Sequence, residues 1–166
     1  LKAFFSALTD AAHAALTRAG REDPRRRGMG TTLTAFLEYG GRWYWFNAGD
    51  SRAYLFRAGS LIQLSRDHSL REVTGRADIP SNILANCLGG GSAGARCDFA
   101  GVPGFPREGD ALLLSSDGLH DLVGNGAMEA IIAGNSGNPV PALVEAAKDR
   151  GGRDNISCIY LKEAKP

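Results

Sequence analysis

Apolar residues recur at helical spacing from the start of the chain. Phe4, Phe5, Leu8, Ala12, Ala15, Leu16 and Ala19 fall at intervals that predict an amphipathic helix, with Gly20 as its stop signal. From residue 31 the pattern changes. Thr31 to Tyr39 is rich in threonine and apolar residues and reads as a strand. Gly40-Gly41 then turns the chain into Trp43-Tyr44-Trp45-Phe46, where the absence of alternation predicts a strand covered on both faces. Gly49-Asp50 reads as a tight hairpin turn into Ala53-Tyr54-Leu55-Phe56, and Ala58-Gly59 as another into Ser60–Leu64. Turns this short predict antiparallel neighbours.

The segment from Arg66 to Cys87 is less regular, with a helix start expected near Asp67 and a break at Pro80. "LGGGSAG" at 88–94 reads as a flexible loop. It lacks the Gly-x-x-x-x-Gly-Lys-Ser/Thr of a phosphate-cradling loop, which argues against nucleotide binding. Strands are expected over Arg96–Val102 and Asp110–Ser115, and helices over Gly126–Ala133 and Pro141–Arg150, the second with proline in its first turn and Gly151 after its end. Ile156–Leu161 is a closing strand. No internal repeat or low-complexity linker divides the sequence. Antiparallel strands with segregated helices predict a single layered α+β domain over residues 1–166.

Bulk properties narrow the function classes. A chain of 166 residues with 43% hydrophobic content can bury a substantial core. A net charge of +1 gives no nucleic-acid footprint, and Arg25-Arg26-Arg27 after a proline reads as a solvated loop. No apolar run approaches the about 18 residues of a membrane span, and no signal-peptide pattern opens the chain. Cys87, Cys97 and Cys158 are odd in number and show no Cys-x-x-Cys spacing. That predicts reduced thiols in a cytoplasmic protein. The first residue is Leu1, already inside the expected helix, so the sequence reads as the later portion of something longer.

The chemistry lies in acids at strand ends. Asp117 follows strand 110–116, Asp154 precedes the last strand in "GGRDNIS", and Asp50 sits in its turn. If the two strands are antiparallel neighbours, Asp117 and Asp154 share one rim of the sheet. Acids without histidine or cysteine nearby suit a hard cation, Mg²⁺ or Mn²⁺. Each Asp-Gly, Gly-Asp or Asp-Asn is equally readable as turn chemistry, and spacing alone leaves both readings open. His120 is read as packing more than as a proton donor, and His68 as anchoring its loop. Arg52 is expected to brace the turn holding Asp50, and Asn155 to orient a neighbouring ligand.

Five stretches together carry a resemblance: "GMGTT" (28–32), "NAGDSR" (47–52), "LSRDHSL" (64–70), "LLLSSDGLHDLV" (112–123) and "GGRDNIS" (151–157). In order and rough spacing the chain resembles the type 2C metal-dependent protein phosphatases, the PPM family, in a compact bacterial form with a short flap segment. The resemblance implies a four-layer α-β-β-α sandwich of two antiparallel sheets with a metal cleft at one end. It implies hydrolysis of phosphoserine and phosphothreonine in proteins by a metal-activated water, with no protein nucleophile. Asp117 and Asp154 match ligands of a pair of Mn²⁺ or Mg²⁺ ions, and Asp50 matches a ligand of a weaker third metal that Asp117 would share. Phosphoproteins as substrates, and a counterpart serine/threonine kinase, are implied in the same way.

The sequence also departs from that family. Nothing from Leu1 to Gly28 matches the family's phosphate-gripping arginine or its Asp-Gly-x-Gly-Gly, whose aspartate bridges both metals. Asp10 lies mid-helix without following glycines, and Glu22-Asp23 precedes a proline. The resemblance therefore covers roughly the last two-thirds of such a domain, and missing strands would leave sheet edges open. Two readings follow: an active phosphatase with further N-terminal sequence, or a non-catalytic phosphatase-like binding or regulatory module.

Overall fold

The structure, a computed structural model, describes residues 1–162. The chain opens with α1 (Lys2–Glu22), followed by a 3₁₀ turn at Pro24–Arg26 whose start is capped by the Asp23 side chain. Strands β1 (Gly30–Thr31), β2 (Leu33–Tyr39), β3 (Arg42–Ala48), β4 (Arg52–Arg57) and β5 (Ser60–Gln63) follow in succession. Then come α2 (Leu70–Thr74), β6 (Leu88–Gly89), β7 (Asp98–Gly101) and β8 (Ala111–Ser115). Short α3 (Asp117–His120), α4 (Asn125–Gly134), α5 (Val140–Lys148) and β9 (Cys158–Lys162) complete the order.

Two antiparallel sheets carry the fold, one in the order β2-β3-β7 and one in the order β5-β4-β8-β9. Alternation along the strands decides the layers. On β3, Phe46 turns outward, where Phe5 of α1 stacks on it at 4.4 Å and on Phe99 of β7 at 5.2 Å. Trp43 and Trp45 turn inward, onto Leu55 of β4 and Leu112 of β8. Tyr54 and Leu113, on the opposite face of the second sheet, pack with Leu119, Met128, Ile132 and Leu143 of the helices behind it. The result is an α-β-β-α sandwich. Each fully buried leucine or methionine there contributes roughly 2 kcal/mol of transfer free energy. The aromatic strand is covered on both faces, as its lack of alternation predicts.

Three local expectations are corrected. Gly49-Asp50 is not a hairpin turn: β3 and β4 belong to different sheets, and this turn carries the chain from one layer to the other. Gly49 sits at φ 124, and a Cβ there would collide with the Thr32 side chain, so the crossing requires glycine. The helix expected near Asp67 begins at Leu70 instead, because Ser69 caps it by accepting a hydrogen bond from the Glu72 N–H. The start of "LGGGSAG" is not a loop, since Leu88 and Gly89 pair with Thr31 and Gly30. All three cysteines are free and half-buried.

Candidate active site

β8 and β9 pair with Ser115 opposite Cys158, so the end of one strand adjoins the start of the other. Beyond the ladder the junction continues. The Ser116 N–H donates to the Ser157 carbonyl (2.9 Å), its hydroxyl donates to the Asn155 carbonyl (3.1 Å), and the Ser157 N–H donates to that hydroxyl oxygen (3.0 Å). Immediately after Ser116 the chain turns into α3, with Asp117 in the first turn, where a negative charge is favoured. Gly118 permits the approach. A Cβ there would lie 3.0 Å from the Asn155 carbonyl carbon and closer still to its oxygen.

These contacts bring Asp117 and Asp154 to the wall of one cleft. Its volume is about 620 Å³, and the walls also carry Arg52, Asp67, Asp121, Arg153 and the α2 residues Arg71 and Glu72. Asp117 Oδ1 accepts from the Gly118 N–H (2.8 Å), and Asp154 Oδ1 accepts from the Asn155 N–H (2.6 Å). In each carboxylate one oxygen is oriented by backbone and the other makes no hydrogen bond with the described residues. Asp154 is separated from β9 by Asn155, Ile156 and Ser157, so it is not immediately before the strand as its motif suggests.

Asp50 is buried at the sheet crossing, behind this wall. Burial pushes its carboxyl up to about 6, and the nearby charge of Asp117 pushes the same way, with smaller contributions from Asp67 and Asp121. The acids that press on Asp50 in this way carry a charge that a cation would balance. Among the described residues, however, no three His, Cys, Asp or Glu side chains come close enough together to hold an ion by themselves. The residues fit Mg²⁺ or Mn²⁺ in the sense appropriate to those ions, which are held by one or two carboxylates and keep several waters.

The supporting residues are partly as expected. His68 is fully buried and anchors the Asp50 turn: the Gly49 N–H donates to Nδ1 (3.2 Å), and Nε2 lies 2.9 Å from Asp98. His120 packs behind the wall with Ser115 Oγ 2.8 Å from its Nδ1, and burial lowers its pKa to about 3. Arg52 is corrected. It does not brace Asp50 but forms a forked ion pair with Asp67 (2.6 Å) and bonds the Tyr54 hydroxyl (3.3 Å). Asn155 acts through its backbone, which holds Ser116 and Asp154.

Asn47 was missed. Its side chain, fully buried, donates to the Gly49 and Arg66 carbonyls (3.0 and 3.3 Å) and so holds the sheet crossing from inside. An asparagine ending an aromatic strand, just before Ala-Gly-Asp, was the available signal.

No protein-family model matches the chain. Solved structures and curated relatives do. The catalytic domain of the serine/threonine protein phosphatase PstP, solved in complex with two manganese ions, superposes with a TM-score of 0.79 at 31% identity, over 96% of this chain and 70% of that one. This chain belongs to the bacterial PPM-type serine/threonine protein phosphatases. The Streptococcus agalactiae serine/threonine phosphatase superposes with a TM-score of 0.83 at 25% identity, over 96% of this chain and 69% of that one. Full-length PstP of Mycobacterium tuberculosis is 31% identical over 96% of this chain, which corresponds to 32% of PstP. The phosphatase stp of Listeria welshimeri is 34% identical over 81% of this chain and 57% of its own length. The chain thus spans from 32% to 57% of the length of these curated relatives. The four-layer sandwich above is the fold of its structural neighbours.

Proposed function

We propose that the protein hydrolyses phosphoserine and phosphothreonine in protein substrates, with Mn²⁺ or Mg²⁺ as cofactor. The observation that carries this reading is the convergence of Asp117 and Asp154 on one cleft, in a chain whose relatives are serine/threonine protein phosphatases. Asp117 and Asp154 would hold the metal pair, and Asp50, with Asp117 as a shared ligand, a weaker third ion. Bound there, two cations would acidify a water for in-line attack and neutralise the phosphoryl oxygens.

The chain's own residues supply the positioning. The Gly118 and Asn155 N–H groups fix one oxygen of each carboxylate. The Ser116 bridge to the segment before β9 keeps both acids on one wall. His120, neutral and buried, carries no proton to the substrate.

The test is phosphate release from phosphoserine and phosphothreonine peptides while Mn²⁺ is titrated into the intact protein. Asp117→Asn is expected to bring turnover to background with the fold intact by circular dichroism. Asp50→Asn is expected to raise the metal concentration required, because affinity falls with fewer charged ligands. A wild-type rate in Asp117→Asn would reject the metal assignment.

The second reading is a non-catalytic phosphatase-like module. It is favoured by the absence, among the described residues, of three clustered ligands. Metal-independent phosphopeptide binding without turnover by the intact protein would select it.

A further inference from the structure

The charges inside the cleft do not all cancel in pairs. Arg52 is engaged by Asp67 at 2.6 Å. Glu72 is engaged by Arg66 at 2.9 Å, and Asp121 accepts from the Ser81 hydroxyl at 3.1 Å. What remains on the acidic side is Asp117, Asp154 and Asp121, whose bond to a neutral hydroxyl leaves its charge in place. What remains on the basic side is Arg71 and Arg153. Arg71 projects from α2 and donates through Nε to the Ile79 carbonyl (2.6 Å), which fixes the stem and leaves its terminal nitrogens in no described hydrogen bond. Arg153 comes from the loop between α5 and β9, one residue before Asp154, and makes no ion pair or hydrogen bond with the described residues.

We infer that Arg71 and Arg153 form an anion-recognising edge of the cleft that selects phosphopeptides carrying an acidic residue beside the phosphorylated one. The inference rests on the phosphatase reading above. A guanidinium presents planar, forked donors that match a carboxylate or phosphate, and it keeps its charge at any physiological pH. Once cations balance Asp117 and Asp154, the two arginines outweigh Asp121 and leave the cleft with a net positive charge. A basic residue beside the phosphorylated side chain is then repelled and an acidic one held. The edge arises from two separate elements, α2 and the loop before β9, so it offers two points of contact in the cleft rather than one.

The test measures binding separately from chemistry. Non-hydrolysable phosphonate peptides with acidic, neutral or basic flanks are titrated, by fluorescence anisotropy with Mn²⁺ present, into the intact protein. Both arginines are exposed, so the expected preference for acidic over basic flanks is modest, roughly tenfold, with roughly threefold lost in each of Arg71→Ala and Arg153→Ala. Arg153→Lys keeps the charge but not the fork and recovers part of that loss. Arg153→Glu shifts the preference toward basic flanks, a change that misfolding would not produce.

Equal binding of all flanks by the wild-type protein, no binding of any, or a preference surviving the double alanine variant would each overturn the inference. Phosphate release from the corresponding phosphoserine peptides is read in parallel. A flank preference without turnover would reject the phosphatase reading and leave the recognition edge standing.

Discussion

At the scale of single residues, the environment separates the acids left unpaired in the cleft from those already neutralised. Asp117 and Asp154 sit in the cleft wall, whereas Asp67, in the same cleft, is neutralised by Arg52. His120 lies three residues from Asp117, yet its role is structural. Burial is the main cause of its low pKa, the Arg52 charge adds to it, and Asp67 opposes it. The sign follows from the shift. The folded form stays neutral down to about pH 3, while the unfolded chain takes up a proton from about 6.5. Stability from His120 is therefore fully present above 6.5 and is lost as pH falls toward 3. Urea midpoints measured between pH 7.5 and 4.5 should fall more steeply for the wild-type protein than for His120→Gln. Parallel slopes would mean that His120 is solvated.

At the scale of elements, the β8–β9 junction is the device that assembles the site. Gly118 has an ordinary helical conformation, so its role is space rather than backbone freedom. A Cβ would press on the Asn155 backbone and push apart the segments that carry Asp117 and Asp154. Gly118→Ala is expected to cost about 1–3 kcal/mol, as overpacking does, with a larger loss of turnover than of stability. Gly126, within α4, meets nothing within 4 Å, and Gly126→Ala is expected to be neutral or to stabilise by up to about 1 kcal/mol. Thermal unfolding and phosphate release on the two variants separate close packing from helix propensity.

The same junction shows what was legible in the sequence. Leu112–Leu114 announces a buried strand and Ile156–Leu161 a closing one, and the antiparallel pairing that brings Asp117 and Asp154 to one rim was a condition the structure supplies. The Gly49-Asp50 crossing was not legible as a crossing. A two-residue glycine turn between strands has the same local signature whether the strands pair or part, and what separates them is tertiary: Asn47 and His68 holding the turn from inside. Ser69 outcompeted Asp67 as a helix cap because Asp67 was taken by Arg52, a partner fifteen residues away.

At the scale of the molecule, the two sheets do not match in width. Ile159 and Leu161 of β9 lie opposite Leu114 and Leu112, on the face that looks toward the other sheet. Among the described residues that sheet has three strands and ends on this side at β2. Leu112 is therefore fully buried while Ile159 is 58% exposed, although both occupy the same side of one sheet. A groove of about 380 Å³, lined by Thr32, by Leu33 and Thr34 at the start of β2 and by Cys158 and Ile159 of β9, opens at this step. An uncovered inner face next to two open strand edges favours pairing with another chain. Residues 1–166 expressed alone are expected to self-associate as concentration rises. Ile159→Lys should shift sedimentation toward the monomer, because it charges the uncovered face. Ile131→Lys, on the helical layer, should leave the association unchanged among the molecules that fold. If the wild-type chain sediments as a monomer at all concentrations, the uncovered face is not adhesive and the step between the sheets is closed by this chain's own packing.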